Sequence, residues 1–167
     1  GELDLGGLGG YAGVFLPVGP SVSIGLEGAY TRGDDPGTTG RNEGVFSADY
    51  EGPYGSVIFY NNMDYSGYGG DSQSSSYGTD FGVRNAVTGK FSAVFTPLKN
   101  LSLTGAGLYA AADQTRAGVD KAMGWEFDVI AVYGITENVS FTLGVGYAML
   151  GDYWLSAPIA GGAGRKP

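Results

Sequence analysis

The sequence predicts an all-β protein, an antiparallel up-and-down transmembrane β-barrel, on three observations. Long segments alternate strictly between large apolar and small or polar residues. Glycine supplies 32 of 167 residues and aromatics 13%, while only 16% are charged. The connections between the alternating segments are by turns very short and long. Glycine at this density disfavours helix, because each helical glycine costs about 1 kcal/mol relative to alanine. The plentiful aromatic and β-branched residues argue against simple disorder, and the glycines show no Gly-X-Y period of the collagen kind.

Taken in chain order, the first segment places Leu3, Leu5, Tyr11 and Phe15 on one parity with several glycines, opposite Glu2 and Asp4. Pro17-Val18-Gly19-Pro20 links it tightly to a second strand, Ser21 to Thr31. That strand sets Val22, Ile24, Leu26 and Tyr30 against Ser21, Ser23, Gly25, Glu27 and Ala29. A long polar connection follows, about 32–82, holding Val45–Tyr50 and Tyr54–Tyr60 around Gly52-Pro53. Those two pieces read either as a fourth hairpin or as structure within a long loop.

The third strand sets Val87, Phe91, Ala93 and Phe95 against Arg84, Thr88, Lys90 and Ser92. Pro97-Leu98-Lys99-Asn100 turns the chain, and Leu101, Leu103 and Tyr109 then oppose Ser102, Thr104 and Ala106. After a second long connection, 113–122, comes the clearest alternation. Trp125, Phe127, Val129, Ala131, Tyr133 and Ile135 share one face, and Glu126, Asp128, Ile130, Val132 and Gly134 the other. Thr136-Glu137-Asn138 turns into Val139, Phe141, Leu143, Val145, Tyr147 and Met149 against Ser140, Thr142, Gly144, Gly146 and Ala148. Six strands are clear, and 151–167 reads as a non-strand tail of one single domain, 1–167. The last two runs are slightly longer than the 9–11 residues that cross a bilayer as a tilted strand.

The identity of the two faces separates a membrane barrel from a soluble one. A soluble barrel turns its large apolar side chains inward and exposes Lys, Glu and Thr. Here the second face is mostly Gly, Ser, Thr and Ala with sparse charge, which suits a barrel interior and leaves the large side chains for lipid. Tyr30, Phe95, Tyr109, Trp125, Tyr147 and Trp154, near strand ends, suit aromatic girdles. A net charge of −8 with no basic stripe speaks against nucleic acid as a partner. No apolar run reaches the length of a membrane helix, and the first residues do not form a secretory leader.

Chemistry is bounded by absence. With no cysteine and no histidine, a Ser-His-Asp triad, a thiol nucleophile and a Cys/His zinc site are all excluded, and no enzyme is expected. Glu126 and Asp128 sit about 7 Å apart on one strand face, but glycosidase carboxylates must flank a bond in a cleft that nothing in the sequence suggests. Gly6-Gly-Leu-Gly-Gly lacks the context of a phosphate-binding loop. Asp34 and Asp35, beside Gly33 and Pro36, supply at most part of a calcium shell, and their ordinary reading is a polar turn. Asp71, Asp80, Asp113 and Asp120 are loop carboxylates of the same kind. No other cofactor is expected.

The charges expected on the interior face are Glu2, Asp4, Glu27, Asp49, Arg84, Lys90, Glu126 and Asp128. In a wide barrel they line a channel and bias which ions pass. In a narrow barrel of eight strands they form a packed network that plugs it. The number of strands decides between the two.

Several segments resemble bacterial outer-membrane porins, in particular the alginate-export-like and related porin families. Gly124-Trp-Glu-Phe-Asp-Val with Tyr133-Gly-Ile-Thr-Glu-Asn-Val-Ser-Phe-Thr-Leu resembles their penultimate hairpin. Gly146-Tyr-Ala-Met-Leu-Gly-Asp-Tyr-Trp is similar to the strand leading into their last long loop, and Asn85–Leu103 to the preceding hairpin. Tyr30-Thr-Arg-Gly-Asp-Asp resembles a strand leaving for a large external loop. The resemblance implies an outer-membrane channel for small hydrophilic solutes or ions, with lipid around it. The chain departs from the family in its ending, Ala160-Gly-Gly-Ala-Gly-Arg-Lys-Pro, and in placing both ends on the long-loop side. The expectation is a partial set of strands, completed by further strands, a homo-oligomer or partner chains. Two other readings remain: a closed structural or adhesive outer-membrane barrel without a pore, and a soluble secreted β-protein that self-assembles.

Overall fold

A computed structural model describes residues 4–44 and 85–156. Eight strands and one short helix follow in order: β1 (Asp4–Leu5), β2 (Gly9–Pro17), β3 (Val22–Thr31), β4 (Arg41–Asn42), β5 (Ala86–Leu98), β6 (Leu101–Ala112), β7 (Ala122–Thr136), β8 (Val139–Leu150) and α1 (Tyr153–Ser156). Six of the strands form one antiparallel meander in the order β2-β3-β5-β6-β7-β8. These are the six strands that the alternation predicts, each running next to its neighbour in sequence.

Three expectations are corrected. β2 and β8 each pair on one side only among the described residues, so the sheet is open and is not closed into a barrel. The six described strands of the meander fall short of the eight with which membrane barrels begin. The initial segment is also not one strand: Asp4–Leu5 leaves the meander and pairs in parallel with Arg41–Asn42, inside a stretch expected to be loop. Asp4 therefore does not lie on the sheet face that carries Glu27. The proposed fourth hairpin, 45–60, lies outside the described residues.

Turn chemistry sets the ends. Glu137-Asn138 joins β7 to β8, with the Asn138 amide donating to Thr136 Oγ1 at 3.3 Å. Lys99-Asn100 joins β5 to β6, and the register breaks between Phe95 and Leu98, where Pro97 has no amide to give to the ladder. Asn100 then reaches across to β7: its Nδ2 donates to Gly134 O at 3.1 Å and its O accepts Gly134 N at 2.8 Å. Val18–Ser21 makes the third turn at this end. The connections at the opposite end are the long ones, between β3 and β5 and between β6 and β7.

That far rim is stitched by polar side chains. Asn85, in the left-handed region at φ 48°, exchanges two hydrogen bonds with Gln114, of 2.9 and 2.8 Å. Asp113 Oδ2 accepts from the Gly33 amide at 2.9 Å and the Tyr30 hydroxyl at 3.4 Å. β7 bulges where Ala110 faces Gly124 but Ala111 faces Ala122. Gly124 takes φ 122° there, and a Cβ would meet Met149 O, so the bulge requires glycine. The small apolar core, Ala86, Leu108, Ala110, Ala112, Met123 and Tyr153, gathers at this end. The Trp154 indole donates to Met123 O at 2.8 Å and ties α1 to β7.

Candidate functional site: the charged face of the sheet

Cross-strand partners share a face, so the register sorts every residue of the sheet. One row reads Gly13, Glu27, Lys90, Leu108, Glu126, Ala148 from β2 to β8. The next row toward the short turns reads Phe15, Gly25, Ser92, Ala106, Asp128, Gly146. Four of the eight charges expected on the interior thus come together: Glu27, Lys90, Glu126 and Asp128. Glu2, Asp49 and Arg84 lie outside the described residues.

These charges are buried. Glu27 is 5% exposed, Lys90 9%, Glu126 0% and Asp128 4%, with Thr88 and Ser92 beside them at 5% and 6%. Glu27 and Lys90 are direct cross-strand partners, and Lys90 Nζ lies 3.4 Å from Glu27 Oε2. The Tyr11 hydroxyl donates to the other oxygen, Oε1, at 2.7 Å. A buried carboxylate is tolerable when a counter-charge and a hydrogen bond satisfy it together. Leu108, 1% exposed, separates Lys90 from Glu126 in the row, placing those two on strands about 10 Å apart. The side near β2 carries the Glu27–Lys90 pair, and the side near β8 carries Glu126 and Asp128.

Tyr11 is the member of this site that sequence reasoning misses. Its alternation placed Tyr11 and Phe15 on the apolar face. The register puts both opposite: Tyr11 pairs with Ala29 and Phe15 with Gly25, on the face of Glu27, while Val14 and Leu16 face the other way. Phe15 packs so closely over Gly25 that a Cβ there would come within 2.9 Å of its ring. Residues 9–17 hold large apolar residues on both parities and glycine on both, so only the hairpin register sets their facing.

The opposite face is apolar and exposed. Leu26, Phe91, Phe127, Val129, Phe141, Val145 and Tyr147 are between 47% and 67% exposed. Aromatic side chains collect near both ends of it. Tyr109 and Trp125, cross-strand partners, meet at 4.9 Å between ring centroids, and Trp125 stacks on Phe127 at 6.3 Å. Toward the short turns, Phe141 pairs with Tyr133.

Asp71 and Asp80 lie outside the described residues; the other loop carboxylates accept from the backbone. Asp34 Oδ1 accepts the Glu43 amide at 3.1 Å, Asp35 Oδ1 the Gly37 amide at 2.8 Å, and Asp120 Oδ1 the Ala122 amide at 2.8 Å. Glu43 is buried in the same loop, accepts from Thr38 Oγ1 at 3.1 Å and faces Arg41 at 3.6 Å. Burial acts to raise its carboxyl, but hydrogen bonds from Thr38 and from the loop backbone, together with the Arg41 charge, hold it below the usual carboxylate range. No group of three or more His, Cys, Asp or Glu able to hold a metal occurs among the described residues. No protein family, curated protein or solved structure matches the chain.

Proposed function

We propose that this chain forms part of a bacterial outer-membrane β-barrel of the porin type, a non-enzymatic channel for small hydrophilic solutes or ions. The observation that carries this reading is the inverted sidedness of the sheet. Large apolar side chains stand exposed on one face, and the charged and small residues are buried on the other. Lipid is the environment in which such a face is favourable. The apolar side of β3 runs from Val22 to Tyr30, about 27 Å along the strand. At a tilt of about 40° it covers roughly 20 Å, close to the height of a membrane barrel's apolar band. Short turns at one end and long connections at the other fit the same reading.

Conductance of the purified protein in planar bilayers tests it. Discrete ohmic steps are expected, with a mild preference for cations arising from Glu126 and Asp128; equal permeability to both ion signs would remove the role given to those carboxylates. A second reading is a sealed structural or adhesive barrel. The burial of Glu27, Lys90, Glu126 and Asp128 favours it, since a packed polar network blocks a narrow interior. A membrane-inserted protein that never conducts would establish it in place of the channel.

A further inference from the structure

We propose that the β2 edge of one copy pairs with the β8 edge of a second copy, so that two chains close one twelve-stranded barrel; this rests on the membrane reading above. Both edges carry backbone groups with no strand partner among the described residues. β2 is exposed along its whole length and β8 along most of it, whereas the strands between them bury their polar face. In hydrocarbon such backbone groups must be paired, because each one left unsatisfied costs several kcal/mol.

Three features favour a second copy. An even meander leaves its two edges running in opposite directions, so a twofold rotation about the barrel axis sets β2 antiparallel to β8 of the other copy. The two seams are then identical and no edge is left over. Side-chain size also matches across the seam. On the polar face β2 presents Tyr11 and Phe15, while β8 presents Gly144, Gly146 and Ala148. The sheet itself already sets large beside small in this way, with Phe15 over Gly25. Finally, the six described strands of the meander closing on themselves fall below the smallest membrane barrels, whereas twelve lie within their range and leave a lumen.

The chain contains no cysteine, so paired cysteines report the seam directly. Val14→Cys on β2 is combined in turn with Leu143→Cys, Val145→Cys or Tyr147→Cys on β8, all on the apolar face. Partners directly opposite on adjacent antiparallel strands lie within disulfide reach. The full chain is refolded into detergent, oxidised, and run without reductant. The expected result is a dimer band, strong for one β8 position and weak for positions two residues away, and absent from each single-cysteine variant. An intrachain disulfide in a monomer overturns the proposal in favour of self-closure. No cross-link at any position, in a chain that has folded by its β-sheet circular dichroism, overturns it in favour of other strands on these edges. Solubility without detergent is measured alongside. Dimer cross-links in a detergent-free protein would sink the membrane reading while leaving the seam in place.

Discussion

Neighbouring residues of β7 meet opposite surroundings. Glu126 is 0% exposed between Trp125 and Phe127, each 47% exposed, and Asp128 is 4% exposed beside Val129 at 62%. In a sheet that folds for water, burial follows apolar character, because burying an unpaired charge costs far more than exposing a methyl group. Here the order is reversed along one strand, and the same reversal recurs on β5, where Lys90 is buried beside Phe91 at 54% exposed. On the β2 side of the polar face, the Lys90 charge and the Tyr11 hydroxyl satisfy the buried Glu27 carboxylate. The apolar face is left exposed.

The contrast between faces breaks most readily at the ion pair. Lys90→Met leaves Glu27 buried without its counter-charge and is expected to cost about 3 kcal/mol, the lower end of the range for such pairs, because Tyr11 remains. Adding Glu27→Leu restores most of that loss. Urea unfolding in detergent micelles measures both, and a single variant as stable as the parent would mean that the pair contributes nothing. On the opposite face, Val129→Arg is expected to cost about 2–4 kcal/mol in lipid vesicles if this residue sits near mid-bilayer. A highly exposed position facing water would tolerate the same change, so a neutral outcome in vesicles would place this face outside the hydrocarbon.

A smaller effect sharpens the account of the polar face. Tyr11→Phe removes only the hydroxyl on Glu27 and is expected to cost about 1–2 kcal/mol, the range for a hydrogen bond to a charged group. The smallest effect lies at the rim. The Glu43 carboxyl is held below its ordinary value of 4.5 by the Thr38 and backbone hydrogen bonds and by Arg41, against the opposing effect of burial. A carboxyl lowered by folding stabilises the folded state above its unfolded value, and the contribution is lost as pH falls through the folded one. The protection factors of amides in residues 33–44, taken relative to the intrinsic exchange rate at each pH, are therefore expected to fall in acid below about pH 4.5, and Glu43→Gln to remove that dependence.

Much of this architecture was legible along the chain. The alternation in 122–150 specifies both strands and both faces, because every large apolar residue in the stretch from Trp125 to Val129 falls on one parity. Glu27, Lys90, Glu126 and Asp128 were placed on one face by the same count. The segment from Gly9 to Pro17 resisted it. Glycines and large side chains occupy both parities there, so Tyr11 and Phe15 could be assigned only by their pairing with Ala29 and Gly25. Asp4 was misplaced for a different reason: two residues carry too little pattern to distinguish the start of a strand from a separate parallel bridge to Arg41.

The sequence by itself determined the six strands of the meander, the short turns and, for most strands, the facing of each residue. These are local properties, set by side-chain period and by turn chemistry. Tertiary structure alone decided which charges meet. Glu27 and Lys90 lie 63 residues apart in number, and only the β3–β5 register makes them partners. It also decided that, among the described residues, β2 and β8 each pair on one side only, because closure depends on strand number and stagger around the whole sheet, which no single strand encodes.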